Sequence, residues 1–349
     1  MTPPNLTFGV IVCTYNRQSI IEQALQHWQS SKYQPDQFLV IDATPGAEDY
    51  RDKLVEKNLS LFTESTSDYI VSKRAGLTLQ RNMGLEQIKT DIVCLVDDDT
   101  FVTPTYVDTI LDVFQHDTKQ LIGGVNGVAI GQFDNPRQRY SRMARNFVRH
   151  RYGYLAQRIH VPKSQTKLFD PLPNELGALP LIGIDRLWGA NMNYRRSAIG
   201  NLRFDENFKR YGLYEDVDMS VRVGRTHKLV CHIGAKLMHN DDLGKSTRPS
   251  DVRYFMASWL NSAYIIEKLF PCTESRNSYQ RLFKLTQLLS NSLPAEKRNQ
   301  KLKILGNAKL LKLAEHYSTI LKESSQQQRL GETFAKLQEK DFSNLPVAA

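Results

Sequence analysis

Short apolar runs alternate with helix-like stretches along the first hundred residues of the chain. The runs FGVIVCTYN (8–16), QFLVIDAT (37–44) and DIVCLVDDD (91–99) each end in polar residues, which is typical of buried strands in a parallel sheet. Between these runs, SIIEQALQHW (19–28) and LTLQRNMGLEQI (77–88) read as helices. The alternation predicts βαβ units and a Rossmann-like α/β domain, with a mostly parallel sheet covered by helices on both faces.

The C-terminal part of the chain has a different texture. From about Pro271 the sequence reads as helical and rich in lysine. The stretch AKLLKLAEHYSTILK (308–322) carries one apolar stripe, formed by Leu310, Leu313, Ala314, Tyr317 and Leu321. We therefore expect a helical C-terminal region after the α/β domain.

Polar residues stand where the predicted strands end, at Thr14, Asp42 and Asp97–Asp99. In open α/β sheets, ligands gather at the carboxyl ends of the strands. Three consecutive aspartates beside a sheet repel one another and lose water. Such a cluster is tolerable either in a fully hydrated turn or where a cation binds to it. Carboxylates are ligands that Mg²⁺ and Mn²⁺ prefer, and the glycine and glutamate that an EF-hand requires are absent.

A second acidic cluster lies in YGLYEDVDMSVRVGR (211–225). Its apolar residues alternate as in a strand, but several of them also fit a helix. In a helix, Asp216 would lie in the first turn, where the helix dipole favours its ionised form. Two interpretations stay open, a general base beside a reaction centre and a carboxylate that only caps the helix.

Composition and charge narrow the class of protein. The 349 residues are 41% hydrophobic and 24% charged, which indicates a packed globular chain. The net charge of +9 suggests an anionic partner: a nucleotide phosphate, an acidic membrane face or nucleic acid. A nucleic-acid binder would leave both acidic clusters without a role, so we expect no nucleic-acid partner. Cys13, Cys94, Cys231 and Cys272 lie far apart, which favours a reducing, cytoplasmic setting.

The sequence shows no membrane-spanning run. No apolar stretch approaches the roughly 20 residues that a span requires, and MTPPNLTFGV has no signal-peptide pattern. Residues 137–158 carry arginines on one side of a helical wheel and apolar residues on the other. Three interpretations stay open for this stretch: a helix peripheral to an anionic membrane face, a helix packed on the sheet, and arginines that bind an acceptor phosphate.

Six motifs together resemble family 2 glycosyltransferases with the GT-A fold. VIVCTYNR, VIDAT, LQRNMGL, CLVDDDT, WGANMNYRR and YEDVDMSVR occur in the order and approximate spacing of that family, over about residues 8–240. The chain departs from the family in two places. IDAT replaces the frequent D-x-x-S-x-D pattern, and WGAN replaces the commoner double glycine.

The resemblance implies a role for each matching position. It implies a nucleotide-sugar donor pocket, supported by Asn82 in the R-N-x-G motif and formed by Thr14, Tyr15, Asn16, Arg17, Asp42, Arg81, Asp97, Asp98, Gly189, Ala190 and Asn191. It implies that Asp99, Asp97 and His239 bind Mn²⁺ or Mg²⁺. It also implies that Asp216 is the catalytic base, with Glu215 as its neighbour.

The resulting hypothesis is a metal-dependent, inverting glycosyltransferase that acts on a glycan or a lipid-linked acceptor. The alternatives are a retaining GT-A transferase and a non-catalytic nucleotide- or glycan-binding module. We expect a GT-A domain over residues 1–250 and a helical region over 251–349. Within the domain, 8–130 would bind the donor, 135–180 would form a basic insertion and 181–245 would form the acceptor and catalytic half.

Overall fold

The computed structural model describes residues 5–62, 67–130, 165–168, 170–209, 212–239, 251–273, 275–277, 280 and 308–340. The basic stretch 137–158 lies outside these residues. The chain divides into two compact units. The first contains the described residues up to 206 together with 215–239, and the second contains 207–209, 212–214 and the described residues from 251 onward.

One mixed sheet organises the first unit. Within the described residues its strands are β1 (Phe8–Thr14), β2 (Gln37–Asp42), β3 (Asp68–Val71), β4 (Ile92–Asp97), β5 (Thr100–Val102), β6 (Ile122–Ala129), β7 (Leu181–Gly183), β8 (Asn191–Arg195) and β9 (Lys228–His239). Their order across the sheet is β3-β2-β1-β4-β8-β6-β9-β5, and β7 pairs with β9.

The half of the sheet built from β1 to β4 is parallel. The strands β1, β2 and β4 consist almost entirely of apolar residues and are buried almost throughout, as the sequence pattern predicts. The register places Thr14 beside Asp42 and Cys13 beside Asp97. These strands therefore end at one common edge. The other half is mixed, because β8 runs antiparallel to both β4 and β6.

Helices cover the sheet and bury its two apolar faces. The helices of this unit are α1 (Gln18–Gln29), α2 (Glu48–Lys57), α3 (Leu77–Gln87), α4 (Tyr106–His116), α5 (Arg196–Ile199) and α6 (Glu215–Val223), with short 3-10 helices at Leu59–Leu61 and Asn174–Leu176. Alternate residues of β1 enter separate cores. Val10 and Val12 pack with Trp28 on one face, whereas Ile11 packs with Met192 on the other.

The predicted α/β architecture is confirmed, and the structure adds two elements to it. Helix α2 and strand β3 lie between the second and third predicted strands. Helix α2 is almost wholly polar and buries only Leu54, so it has no clear apolar stripe. Strand β3 has four residues and stands at the edge of the sheet, which leaves it too short for a clear alternation.

The second unit contains the predicted C-terminal helices. They are α7 (Asp251–Leu269), α8 (Ala308–Gln326) and α9 (Leu330–Gln338), and α7 packs against both of the others. The first of these helices begins at Asp251, before the stretch from about Pro271 that reads as helical in the sequence. The rings of Tyr264 and Phe334 stack with their centroids 3.8 Å apart, and Phe208 packs edge-on against both. No helix within the described residues combines the length and apolar character that a bilayer span requires.

Candidate active site

The site forms where parallel strands end at the common edge of the sheet. Thr14 is the last residue of β1, and its hydroxyl donates a hydrogen bond to Asp98 Oδ2 at 2.7 Å. Asn16, in the following turn, has a φ of +54°, a left-handed conformation that asparagine tolerates better than most residues. This turn directs Arg17 back to the aspartates. Its guanidinium pairs with Asp98 Oδ1 at 2.5 Å and with Asp99 Oδ2 at 2.8 Å.

Asp97, Asp99 and His239 form a compact group of metal-ligating side chains. One ligand atom from each lies within 4.8 Å of the others. His239 reaches the aspartates because β9 pairs antiparallel with β5, which places His239 beside Thr100. Asp99 Oδ1 lies 3.4 Å from His239 Nε2, yet it is buried and accepts no hydrogen bond from the described residues. A buried carboxylate oxygen without a donor, beside two further ligand side chains, fits a divalent cation.

The three aspartates differ in how readily they ionise. Burial raises the pKa of Asp98 to about 7, and Arg17 and Thr14 offset only part of that effect. Burial likewise raises the pKa of Asp97, against the attraction of Arg81. Burial also disfavours ionisation of Asp99, but the neighbouring side chains of His239 and Arg17 outweigh it and lower its pKa. Asp99 is thus the carboxylate best held in the ionised form that a metal requires.

Arg81 links the metal-ligating group to the second acidic cluster. Its side chain is 1% exposed and lies in the second turn of α3. It donates to Asp97 Oδ1 at 3.0 Å, to the Gly189 carbonyl at 2.8 Å and to Glu215 Oε1 through a very short contact. Burial raises the pKa of Glu215, and the positive charge of Arg81 opposes that rise. Arg81 therefore holds three separate segments of the chain around one buried charge.

Asp216 lies next to this link, in the first turn of α6, as one interpretation of the sequence predicts. Its Oδ2 accepts hydrogen bonds from Arg186 Nη1 at 3.0 Å and from the Gly189 amide at 3.2 Å. Its Oδ1 accepts from the Val217 amide at 2.9 Å, and its side chain is 9% exposed. A Cβ at Gly189 would lie 3.2 Å from Glu215 Oε1 and 3.5 Å from Asp216 Cβ. Glycine thus lets this backbone approach both carboxyl groups closely.

The structure does not bring every predicted donor-binding side chain to an open surface. Asp42 is fully buried, and both of its oxygens accept hydrogen bonds, from the Thr44 amide and from the hydroxyls of Tyr50 and Tyr69. Asn191 is fully buried as well, and its side-chain oxygen accepts from Tyr106. These two residues hold the fold together in this arrangement.

Three other predicted residues have separate surroundings. Asn82 bonds with the backbone at Phe204 and with Glu206, so it fastens that loop to α3. Ala190 is buried just before β8, whereas Tyr15 is 42% exposed beside the Thr14 turn. Tyr15 is therefore the aromatic side chain of this turn that solvent reaches.

Two residues of the site lie outside the sequence-based prediction. Arg186 pairs with Asp216, and the ring of Trp188 lies 4.8 Å from that of His239 in an edge-on arrangement. Trp188 is the first residue of the WGAN motif, and Arg186 stands two residues before it. The basic residue beside that motif and the tryptophan that opens it were the available signal, but their partners lie 30 and 51 residues further along the chain.

One protein-family model matches part of the chain. Residues 9–170 match the model of glycosyl transferase family 2. The match covers slightly less than half of the chain, and over these residues the chain is similar to that family. No curated protein sequence matches the chain significantly.

Solved structures resemble the chain at low identity. They include TarS of S. aureus, with 13% identity, a TM-score of 0.43, and coverage of 94% of this chain and 55% of that one. A mannosyltransferase of Pyrobaculum calidifontis in complex with GDP-Man and Mn²⁺ has 15% identity, a TM-score of 0.48, and coverage of 96% and 87%.

Glucosyl-3-phosphoglycerate synthase of Mycobacterium tuberculosis, in complex with Mn²⁺, UDP and glucosyl-3-phosphoglycerate, has 17% identity, a TM-score of 0.43, and coverage of 75% and 79%. The chain spans 55% of the length of the first of these structures.

Proposed function

We propose that the chain is a metal-dependent glycosyltransferase that moves a sugar from a nucleotide-diphosphate donor to a hydroxyl group of an acceptor, with inversion at the anomeric carbon. One observation carries the proposal. Arg81 joins Asp97, in the metal-ligating group, to Glu215, the neighbour of Asp216. The chain thus holds a cation-binding group and a candidate base in fixed relation within one compact unit.

Asp97, Asp99 and His239 would hold Mn²⁺ or Mg²⁺. Carboxylate oxygens predominate among their ligand atoms, and Asp99 offers a buried oxygen to which no group in the described part of the chain donates a hydrogen bond. When bound, such an ion neutralises the charge that develops on a departing nucleotide diphosphate. The ionised form of Asp99 is supported by His239 and Arg17. The turn from Thr14 to Arg17 would lie against the donor nucleotide.

Asp216 would accept the proton of the acceptor hydroxyl as that oxygen attacks the sugar. Its hydrogen bonds from the Gly189 and Val217 amides fix the carboxylate plane. Arg186 also donates a hydrogen bond to Oδ2 and so occupies that oxygen. The Arg186 contact therefore has to lengthen for Oδ2 to act as the proton acceptor, whereas Oδ1 bonds only to the adjacent amide among the described residues.

A single displacement agrees with the surroundings of Glu215. A retaining enzyme that forms a covalent intermediate needs a second carboxylate as nucleophile. Glu215 is the carboxylate next to Asp216, but its side chain is 6% exposed and Oε1 is held by Arg81. This pairing supports inversion over retention. It also gives Glu215 a positioning role beside the base.

The proposed acceptor is a class of molecule, namely a glycan or a lipid-linked sugar. The net charge of +9 favours an anionic acceptor or an anionic membrane face. A cytoplasmic protein that is peripheral to the inner face of the membrane would meet a lipid-linked acceptor there. Co-sedimentation with anionic liposomes at low salt tests this point, and a chain that stays in the supernatant would contradict it.

A panel of nucleotide sugars with Mn²⁺ tests the enzyme proposal. The panel contains UDP-, GDP- and dTDP-sugars, and the measured quantity is nucleotide release. We expect metal-dependent release with at least one of them. Binding of a nucleotide sugar without any release would instead favour the non-catalytic module.

The role of Asp216 is tested by Asp216→Asn. We expect donor binding to remain and turnover to fall by about 10²–10⁴-fold, which is the usual contribution of a general base. Asp218→Asn is the matched control, because Asp218 lies in the same helix but pairs with Arg222 at 2.7 Å. Full turnover in Asp216→Asn would remove the base from the proposal.

A further inference from the structure

The guanidinium of Arg17 lies within the acidic group in which the divalent cation would bind. It forms one ion pair with Asp99, with Nη2 2.8 Å from Oδ2, and another with Asp98, with Nη1 2.5 Å from Oδ1. The other oxygen of Asp99 accepts no hydrogen bond from the described residues and lies beside His239. One oxygen of Asp99 is therefore paired with the Arg17 guanidinium, and the other is available as a metal ligand.

The local backbone holds Arg17 in this place. The Asn16 residue before it has a φ of +54°, and its amide donates to Thr44 Oγ1 at 2.7 Å. Thr14 holds the remaining oxygen of Asp98 at 2.7 Å. The side chain of Arg17 is 14% exposed, and its Nε is buried without a hydrogen-bond partner among the described residues. An unpartnered N–H is costly, so the two ion pairs are what retain the guanidinium here.

We propose that Arg17 is the internal counter-ion of the metal site and competes with the divalent cation for Asp99. This inference rests on the proposed metal-dependent function. The Arg17 charge neutralises part of the carboxylate charge that attracts the ion, and its hydrogen bond occupies the oxygen that bidentate ligation by Asp99 would need. Arg17 therefore sets the metal affinity of the resting protein below what Asp97, Asp99 and His239 alone would give.

A purely structural role for Arg17 predicts the opposite effect. In that case the ion pair would hold the Asp99 carboxylate in the orientation that ligation requires, as hydrogen-bond partners of metal ligands commonly do. Removing Arg17 would then weaken metal binding. The sign of the change in Mn²⁺ affinity on removal of Arg17 separates the two roles, and measuring that affinity requires no sugar donor.

The test is a titration of the full chain with Mn²⁺ alone, followed by tryptophan fluorescence. The sequence contains 3 tryptophans. Trp188 lies 4.8 Å from the His239 ring, whereas Trp28 and Trp259 are buried in the cores of their units. A paramagnetic ion at His239 is expected to quench Trp188, and Trp188→Phe should abolish the signal.

We expect the Mn²⁺ dissociation constant of Arg17→Gln to be about ten-fold lower than that of the unsubstituted chain, because one unit charge is removed a few ångströms from the ion. Arg17→Lys keeps the charge and should stay within about three-fold of the unsubstituted chain. Arg17→Met repeats the neutral substitution if the glutamine variant does not fold.

The outcomes separate this inference from the function on which it rests. Unchanged or weaker Mn²⁺ binding in both neutral variants, with normal binding in the unsubstituted chain, overturns the competition by Arg17 and leaves the metal site in place. No Mn²⁺ binding in any of these chains overturns the metal site and the metal-dependent function together. Tighter binding in the neutral variants alone supports the proposal.

Discussion

Replacing Arg81 by methionine removes the charge that links the two acidic groups. Methionine has a similar length and no charge, so the change leaves the packing volume close to its original value. Glu215, whose side chain is 6% exposed, then loses its ion-pair partner, and Asp97, at 34% exposure, loses one as well. The two carboxylates are affected unequally because water reaches Asp97 far more readily than Glu215.

The expected loss of stability follows from that inequality. Removing one partner of a buried ion pair typically costs about 3–5 kcal/mol, because the remaining charge stays desolvated. We assign this cost to Glu215 and add less than about 1 kcal/mol for Asp97, as for partly exposed pairs. Arg81→Met should therefore lower the free energy of unfolding by about 3–5 kcal/mol, a large share of the ~5–15 kcal/mol that stabilises an ordinary domain.

Urea unfolding of four chains measures this effect. They are the unsubstituted chain, Arg81→Met, the double variant Arg81→Met with Glu215→Gln, and the surface control Arg51→Met. The double variant should recover part of the loss because a neutral amide is less costly to bury than an unpaired carboxylate. Arg51 is 42% exposed and pairs with Asp52 at 2.9 Å, so its substitution should cost at most about 1 kcal/mol.

A loss of stability in Arg81→Met no larger than that in Arg51→Met would contradict an unpaired buried charge at Glu215. Further destabilisation of the Arg81→Met background by Glu215→Gln would contradict it as well, since the cost would then come from lost packing and not from an unpaired buried charge.

Two further predictions concern the sheet. Burial lowers the pKa of His232 below its usual value of about 6.5, so the unfolded chain binds more protons at this residue than the folded chain does. The free energy of unfolding should therefore fall as the pH drops below about 6.5 toward the folded-state pKa. In His232→Asn the melting temperature should depend less on pH between pH 7 and 5, and an unchanged slope would contradict this. A Cβ at Gly84 would lie 2.6 Å from Ile11 Cγ2, so Gly84→Ala should cost about 1–3 kcal/mol in strain, more than the ~1 kcal/mol that alanine gains in a helix. The same change at Gly183, where the nearest atom is 3.8 Å away, should be nearly neutral in a urea unfolding comparison.

The parallel half of the fold could be predicted because its strands are apolar throughout. Strands β1, β2 and β4 and helices α1 and α3 all lie within two or three residues of the predicted bounds. Their polar terminal residues could also be predicted to converge, since parallel strands end at the same edge. Helix α2 and strand β3 could not, because one is nearly all polar and the other is a short edge strand.

The site could be predicted as a set of residues but not as a set of contacts. The sequence indicates that Asp97, Asp99 and His239 belong together only through the family resemblance, because His239 arrives from the far end of β9. It does not show that Asp42 is enclosed by Tyr50 and Tyr69. Such contacts depend on which way a side chain turns at the end of a strand, and no periodicity encodes that direction.

The contacts of Arg81 could not be predicted from the sequence either. The resemblance implies that it contacts the donor, and the structure places it 1% exposed with its donors directed to Asp97, Glu215 and the Gly189 carbonyl. A helix position predicts that an arginine is available, but only the packed structure shows which carboxylates it neutralises. Its contribution to the proposed reaction is to hold the other groups in place.

Anomalous diffraction from crystals soaked in Mn²⁺ tests most directly whether the acidic edge of the sheet is a metal site. The account predicts a strong peak within about 2.5 Å of side-chain atoms of Asp97, Asp99 and His239, and no such peak in Asp99→Asn. Ordered side chains at these three residues without a peak between them, at Mn²⁺ concentrations that support nucleotide release, would contradict it.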